Sequence, residues 1–190
     1  MSAPLLFTFA AGTAGDWRII RIHAVRGAAL PVAERLAVLE GARVSVPVET
    51  VWLLRGVTSN TRYTILAEDQ ALAVSQPELG RPEATQAALI PIRKTDEWWS
   101  LAQDERRTIF EERSRHITIG LKYLPGVARR LHHSRDLSEP FDFLTWFEYV
   151  PGYAEAFEEL VGRLRETEEW SYVEREVDIR LTRDSVPRSK

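Results

Sequence analysis

Apolar residues fall in short runs along the chain, and the spacing within each run distinguishes strand from helix. In the first half these runs predict four strands, over residues 4–11, 16–25, 50–57 and 61–68. Residues 31–42 begin with Pro and have Gly near their end, which favours a short helix. Residues 75–86 are rich in turn-forming residues and predict a boundary near residue 85.

The second half shows the same kinds of segment in a fuller order. Strands are predicted over residues 87–94, 126–135, 141–150 and 175–183. Helix is predicted within residues 96–115 and over residues 152–170, where Tyr153, Phe157, Leu160, Val161 and Leu164 recur at helical spacing. The order β-α-β-β-α-β is that of the ferredoxin-like split motif, an antiparallel sheet with both helices on one face. We therefore expect an α+β protein with two such subdomains, a shortened one over 1–85 and a complete one over 86–190, packed as an α+β barrel.

Composition narrows the possible chemistry. Hydrophobic residues at 44% and charged residues at 28% are typical of a globular domain. The net charge of −3 argues against general nucleic-acid binding. The chain has no cysteine and its only methionine is Met1, which excludes disulfides, thiolate metal sites, Cys nucleophiles and iron–sulfur clusters. An interior without sulfur suits a protein that handles strong oxidants, although chance gives the same result.

Two features bear on location. No apolar run approaches the length of about 18 residues that a spanning helix needs, so we expect no membrane segment. The first fifteen residues contain an apolar patch without a preceding positive segment, so we expect no signal peptide and a cytoplasmic protein.

The histidines are concentrated in one region, since three of the four lie within residues 113–150. His132 and His133 are adjacent in a predicted strand, so they point to opposite faces and do not share one ligand. No HExxH or other zinc-ligand spacing occurs, which makes a zinc site improbable. His116 follows a helical stretch and precedes an apolar segment, and spacing alone favours a structural role for it over ligation.

Two further groups of residues combine charge with apolar surface. Arg129 and Leu131 share one strand face, and Thr145 and Phe147 share a face of the next strand, which predicts an apolar pocket wall with one cation. A salt-bridged arginine at a sheet edge is the simpler interpretation.

Lys94 lies four residues before Trp98, where it could pair with a carboxylate while one indole packs on a flat ligand. Packing in the core is the simpler interpretation of these tryptophans.

Three segments together resemble the chlorite dismutase family of haem b proteins in order and spacing. They are "KTDEWW" from Lys94, "RSRHITIGLKYLPGVARRL" from Arg113 and "SEPFDFLTWFEY" from Ser138. The shortened first half is similar to the compact, dimeric branch of the family. The resemblance implies a homodimer with one haem b per chain, whose substrate is the small anion chlorite.

The resemblance also implies roles for single residues. His116 is implied as the proximal ligand to the haem iron and Arg129 as the catalytic residue on the other side. The implied cofactor-binding residues are Lys94 and Trp98 at the propionates and porphyrin, Leu131, Thr145 and Phe147 in the wall, and Gln76 beside the arginine. A glutamate of the last helix is implied to accept a hydrogen bond from His116. Its position indicates Glu169, with Glu168 and Glu166 as the neighbouring candidates.

The implied reaction converts chlorite to chloride and dioxygen through a ferryl and hypochlorite intermediate. A neutral imidazole becomes a stronger donor to iron when a carboxylate accepts its other N–H. A guanidinium offers a permanent charge and directed donors to an anion.

Three competing functions are compatible with parts of the sequence. Coproheme decarboxylases share the fold, but that group carries a glutamine-type residue where this chain has Arg129 and uses a tyrosine, for which Tyr63 and Tyr123 are candidates. A haem sensor or carrier without turnover is the second competing function. The third is an α+β domain that binds no haem.

Overall fold

Eight strands in the described part of the chain close into an antiparallel β-barrel. The computed structural model describes residues 5–58, 70 and 77–183. The barrel order is β1-β3-β2-β8-β5-β7-β6-β4. The strands are β1 (Leu6–Gly12), β2 (Trp17–Arg26), β3 (Arg35–Glu40), β4 (Thr50–Thr58), β5 (Gln86–Lys94), β6 (Val127–His133), β7 (Phe143–Tyr149) and β8 (Val173–Thr182).

The two halves of the chain use their strands in the same way. Around the barrel, the first four strands lie in the order β4-β1-β3-β2, and the last four follow in the equivalent order β8-β5-β7-β6. The halves meet along a long pairing of β2 with β8 and a short pairing of β4 with β6. The expectation of an α+β protein built around a barrel is therefore confirmed.

The helices with described bounds lie on the second half of the barrel. The α-helices described are α1 (Asp96–Ser100), α2 (Gln103–Arg107), α3 (His116–Leu121) and α4 (Ala154–Arg165), and a π-helix spans Thr108–Arg113. Phe157, Leu160 and Val161 of α4 pack on the outer face of β5 and β7, as their helical spacing predicts. Tyr153 was expected to join this face, but it precedes α4 and is exposed. No helix of the described residues is long and apolar enough to span a membrane.

Period-2 alternation in the strands divides the apolar residues between two cores. Alternate residues of β5 and β7, such as Leu89 and Trp146, point into the barrel, where they meet Phe9 of β1. The intervening residues, such as Ile90 and Phe147, point outwards to α3 and α4. The outer face of the second half is therefore the one on which α3 and α4 pack.

The helix predicted over residues 31–42 is wrong, because residues 35–40 form strand β3. Six residues of this strand pair with β1, and Leu36 also pairs with Trp17 of β2. Ala, Leu and Glu favour helix only weakly, and the ladder between two neighbouring strands overrides that preference. The first half therefore contributes its sheet without a helix at this place.

The helical region 96–115 is broken rather than continuous. Leu101 and Ala102 separate α1 from α2, and α2 continues into the π-helix. The strand predicted over residues 61–68 and the implied site residue Gln76 lie outside the described residues.

Candidate functional site

His116 is the first residue of α3, and the backbone before it turns sharply. Arg115 adopts a left-handed conformation with φ of 53°, which separates α3 from the π-helix. Buried Glu111 in the π-helix accepts hydrogen bonds from the backbone N–H of Ile117 at 2.7 Å and from the hydroxyl of Thr118 at 2.6 Å. These bonds supply partners for the first N–H groups of the short helix, so they fix the position of His116.

The imidazole of His116 is held by two aromatic rings and at one nitrogen. The ring centres of Phe110 and Trp170 lie 4.4 Å and 6.4 Å from that of His116, and both rings are nearly parallel to the imidazole. Nδ1 lies 2.7 Å from Oε2 of Glu169. An ionised carboxylate only accepts, so Nδ1 carries the proton, and Nε2 is the nitrogen whose lone pair can bind a metal. Nε2 forms no hydrogen bond with any described residue, and it is therefore the atom that can bind iron.

Glu169 contacts Lys94 as well as His116. Nζ of Lys94 lies 2.7 Å from Oε1 of Glu169, and the two side chains are 1% and 4% exposed. Burial raises the pKa of Glu169, but the charge of Lys94 and the hydrogen bonds from His116 and Lys94 outweigh it and hold this pKa at about 2. The carboxylate is therefore ionised at neutral pH and accepts from both partners.

Glu169 is the one of the three candidate glutamates that contacts His116. Glu168 instead pairs with Arg113 at 2.9 Å, and Glu166 is exposed at the end of α4. The backbone N–H of Glu169 also donates to the hydroxyl of buried Ser114 at 2.9 Å. Ser114 therefore ties the segment that carries Glu169 to the turn that precedes His116.

Lys94 and Trp98 contact each other, and both side chains are buried. Lys94 is enclosed between Glu169 and the ring of Trp98, whose centre is 4.5 Å from Nζ. Trp98 is 1% exposed, and its ring also packs against Tyr172. Lys94 therefore pairs with the buried carboxylate of Glu169. The reason is electrostatic, since a buried Glu169 needs a positive partner.

The wall predicted on β6 and β7 is present. Arg129 lies opposite Phe147, and Leu131 lies opposite Thr145, so the four side chains form one patch on the outer face. Leu131 is 42% exposed, whereas Phe147 is buried, so Leu131 is the apolar side chain of this patch that is open to solvent.

Arg129 lies between this wall and α3. A Cβ atom on Gly120 would lie 3.7 Å from Nη1 of Arg129, so the guanidinium reaches α3 one turn beyond His116. Residues four apart share a helix face, and His116 therefore lies on the same face of α3 as Gly120. Burial lowers the pKa of Arg129 from its usual value, but a guanidinium remains charged at neutral pH. The site thus combines an imidazole with a lone pair, a cation and an apolar wall.

Several residues of the site were not identified from the sequence. Glu111, Ser114, Phe110 and Trp170 all hold His116 or its partner glutamate. Phe110, Glu111 and Ser114 lie two to six residues before His116, and Trp170 directly follows Glu169. This closeness in sequence was the available signal that they contact the site. Proximity in sequence alone does not distinguish these contacts, because the π-helix and the turn at Arg115 determine which side chains meet.

The ion pair of Glu169 predicts a pH dependence of stability. Its folded pKa of about 2 lies below the ordinary value of 4.5, so the pair contributes stability above pH 4.5 and loses it as the pH falls from 4.5 to about 2. A difference of this size corresponds to about 3 kcal/mol. Urea titrations at a series of pH values measure the free energy of unfolding. Between pH 4.5 and about 2, we expect it to fall more steeply for the parent than for Glu169→Gln. Parallel curves for the two proteins would contradict the assignment.

Comparison with known proteins gives consistent matches. A family model of chlorite dismutases matches residues 19–184. A dimeric chlorite dismutase from Nitrobacter winogradskyi is 55% identical, with a TM-score of 0.87 over 94% of this chain and 99% of that one. A mutant chlorite dismutase from Candidatus Nitrospira defluvii is 21% identical, with a TM-score of 0.70 over 95% and 91%, which shows a shared fold. A chlorite dismutase from Ideonella dechloratans is 37% identical over 62 residues, which span 33% of this chain and only 20% of that protein.

Proposed function

This chain belongs to the chlorite dismutase family, and on that premise we propose that it is a haem b enzyme that converts chlorite to chloride and dioxygen, with one haem per chain. The observation that supports this most is the pairing of His116 with Glu169, which leaves Nε2 unbonded among the described residues and facing the space that Arg129 also enters. When bound, the haem supplies an iron centre that accepts an oxygen atom from chlorite.

The described residues fit a haem. The donor is a single neutral imidazole, and a histidine is a common proximal ligand of haem iron. The wall of Leu131, Thr145 and Phe147 is mostly apolar, as the surroundings of a porphyrin ring need to be. His116 would hold the iron, and the wall residues would pack on the ring.

The role of Glu169 and Lys94 is to fix the imidazole and make it a stronger donor. A carboxylate that accepts the Nδ1 proton fixes the tautomer and the plane of the ring and increases the basicity of Nε2. Lys94 keeps Glu169 ionised, so Glu169 accepts this hydrogen bond over the whole neutral range. A more basic imidazole stabilises the ferric state.

The role of Arg129 is to bind anions without exchanging protons. Chlorite and hypochlorite both lose most of their hydration when they enter an apolar pocket, so each needs a charged partner there. The guanidinium supplies that charge and several donors in fixed directions, and it does not release a proton near neutral pH. One residue therefore retains both the substrate and the fragment that must rejoin the transferred oxygen.

Arg129 also separates this proposal from a coproheme decarboxylase. Decarboxylation of a propionate needs an oxidisable residue near the leaving carboxylate and no anion trap. Tyr123 is half-buried and bonds to Arg163, whereas Tyr63 lies outside the described residues. Incubation of the ferric coproheme-loaded protein with peroxide, followed by mass analysis of the porphyrin, tests this second function. Loss of two carboxyl groups would favour it.

We further propose that the two halves are ferredoxin-like subdomains, 1–85 and 86–190. Support comes from the strand order, which is the same in both halves and is the order of the split β-α-β motif. The turn-rich segment between β4 and β5 is where the chain passes from one half to the other.

A homodimer is the expected assembly. The relative from Nitrobacter winogradskyi, which is 55% identical over nearly the whole chain, is described as dimeric. Light scattering coupled to size exclusion should give about twice the 21.7 kDa chain mass. A mass of one chain, or of five, would contradict the assignment to the short branch.

The proposed function is tested by adding chlorite to the haem-loaded protein and following dissolved oxygen. We expect rapid evolution of dioxygen, with chloride as the other product. A haem sensor or carrier would bind haem without evolving oxygen, and an α+β domain without haem would show no Soret band after haem is added.

A further inference from the structure

Trp170 has an arrangement that the function described above does not use. Its ring lies beside the imidazole of His116, with 6.4 Å between ring centres and 22° between planes. Its Nε1–H donates to Oε2 of Glu176 at 2.7 Å, and Glu176 is 1% exposed. A buried carboxylate thus accepts the only polar hydrogen of an indole that stacks on the proposed iron ligand.

The charges around Trp170 determine how it can be oxidised. Nζ of Lys94 lies 5.5 Å from the ring centre, so a positive charge on the indole is disfavoured. Loss of an electron makes the indole N–H strongly acidic, and loss of that proton removes the repulsion. Arg165 bonds to Oε1 of Glu176, which leaves Oε2 directed at the indole as the proton acceptor.

Two other tryptophans also donate to carboxylates, and their surroundings can be compared with those of Trp170. Trp99 donates to Asp142 at 3.2 Å, but its ring stacks on Phe143 and the guanidinium of Arg135 lies 3.8 Å from its centre. Trp146 donates to Glu148 at 2.9 Å inside the barrel. Of these three carboxylate-bonded indoles, Trp170 is the one that stacks on His116.

We propose that Trp170 is a redox-active residue, which gives one electron to an oxidised haem bound at His116 and passes its Nε1 proton to Glu176. This inference rests on the proposed function, because that function supplies the oxidant, a haem oxidised above its ferric state by chlorite. The haem is reduced by one electron, the indole becomes a neutral radical, and Glu176 becomes a neutral acid. No bond between heavy atoms is formed or broken in this step.

An oxidising equivalent that is not used to make dioxygen therefore resides on Trp170. The chain has no cysteine and no methionine beyond Met1, so aromatic side chains and the porphyrin are the remaining targets. A radical on Trp170 returns to the closed-shell state when it receives an electron, and otherwise it adds oxygen and becomes a hydroxylated or ring-opened indole. Oxidative modification should therefore concentrate at Trp170.

The test uses haem-loaded protein and peracetic acid, an oxygen donor that yields no dioxygen. Samples frozen within milliseconds are examined by electron paramagnetic resonance with ring-deuterated tryptophan, and oxidised peptides are located by mass spectrometry. We expect a neutral indole radical in the parent, its loss in Trp170→Phe, and its retention in the matched control Trp99→Phe. Glu176→Gln keeps a hydrogen-bond acceptor but is a much poorer base, so it should also lose the neutral radical.

The outcomes separate this inference from the proposed function. A radical that persists unchanged in Trp170→Phe, or parent protein whose oxidised indole lies at another position, would overturn the inference while haem binding stands. An unchanged neutral radical in Glu176→Gln would overturn the proton transfer to Glu176. Failure of the parent to bind haem would instead overturn the proposed function. Peptide mapping of the parent needs no variant, so the inference stays testable if a substitution prevents folding.

Discussion

Replacing His116 with alanine is expected to abolish stoichiometric haem binding and the five-coordinate, high-spin ferric spectrum. The imidazole supplies the proposed bond to iron. Because Nδ1 of His116 is bonded to Glu169, Nε2 is the ring nitrogen that remains for the iron. The apolar wall of β6 and β7 can still adsorb porphyrin, so residual binding should be weak and without a defined axial ligand. Haem titration followed in the Soret region measures both effects.

A matched control and a rescue make this result specific. His23 is exposed on β2, on the far side of the barrel order from β6, and His23→Ala should bind haem as the parent does. His116→Gly leaves a space that free imidazole can fill, so added imidazole should restore the ferric spectrum. A His116→Ala protein with parental occupancy and spectrum would show that iron has another ligand.

Replacing Arg129 with alanine is expected to preserve haem binding and impair retention of the anion. Removal of one charged donor from a developing anion typically costs about 3 kcal/mol, or on the order of a hundredfold in rate. More hypochlorite should escape for each chlorite consumed, and the haem should bleach sooner. A hypochlorite scavenger should therefore prolong the activity of the variant more than that of the parent.

Two further variants separate charge from geometry at this position. Arg129→Lys should recover only part of the activity, because an ammonium is a point charge without the planar arrangement of donors. Arg130 is the adjacent residue, but its guanidinium lies 5.1 Å from the ring of Phe7 inside the barrel. Arg130→Ala is therefore the control for loss of a cation from β6. Equal rates of inactivation and equal hypochlorite escape in Arg129→Ala and the parent would show that Arg129 is not the trap.

The strands were predictable because their apolar residues serve two faces of a sheet. Strands β5 to β8 were each found from the sequence, since a period of two, or a continuous apolar run, identifies a strand that is buried on one or both faces. Strand β3 was assigned to helix, because Ala, Leu and Glu over residues 35–40 favour helix locally while its pairing with β1 and β2 is a long-range property. Long-range pairing leaves little signal in one short segment.

The site was predictable in part for the same reason. The face shared by Arg129, Leu131, Thr145 and Phe147 follows from strand alternation, and the structure places these residues in one patch. The contacts of Lys94 and Glu111 did not follow, because they depend on how α3 and the segment after α4 approach the sheet. The sequence predicted a carboxylate as the partner of Lys94 but did not identify buried Glu169 as that partner.

The measurement that tests the central claim most directly is the yield of dioxygen from chlorite by the haem-loaded protein, with both oxygen atoms traced. The reaction is run on a mixture of chlorite labelled fully with ¹⁸O and unlabelled chlorite, and the dioxygen is analysed by mass spectrometry. We predict one dioxygen for each chlorite consumed, with both atoms from the same chlorite ion, because Arg129 keeps the two fragments together. No dioxygen, or dioxygen whose atoms are mixed between ions or with water, would contradict the account.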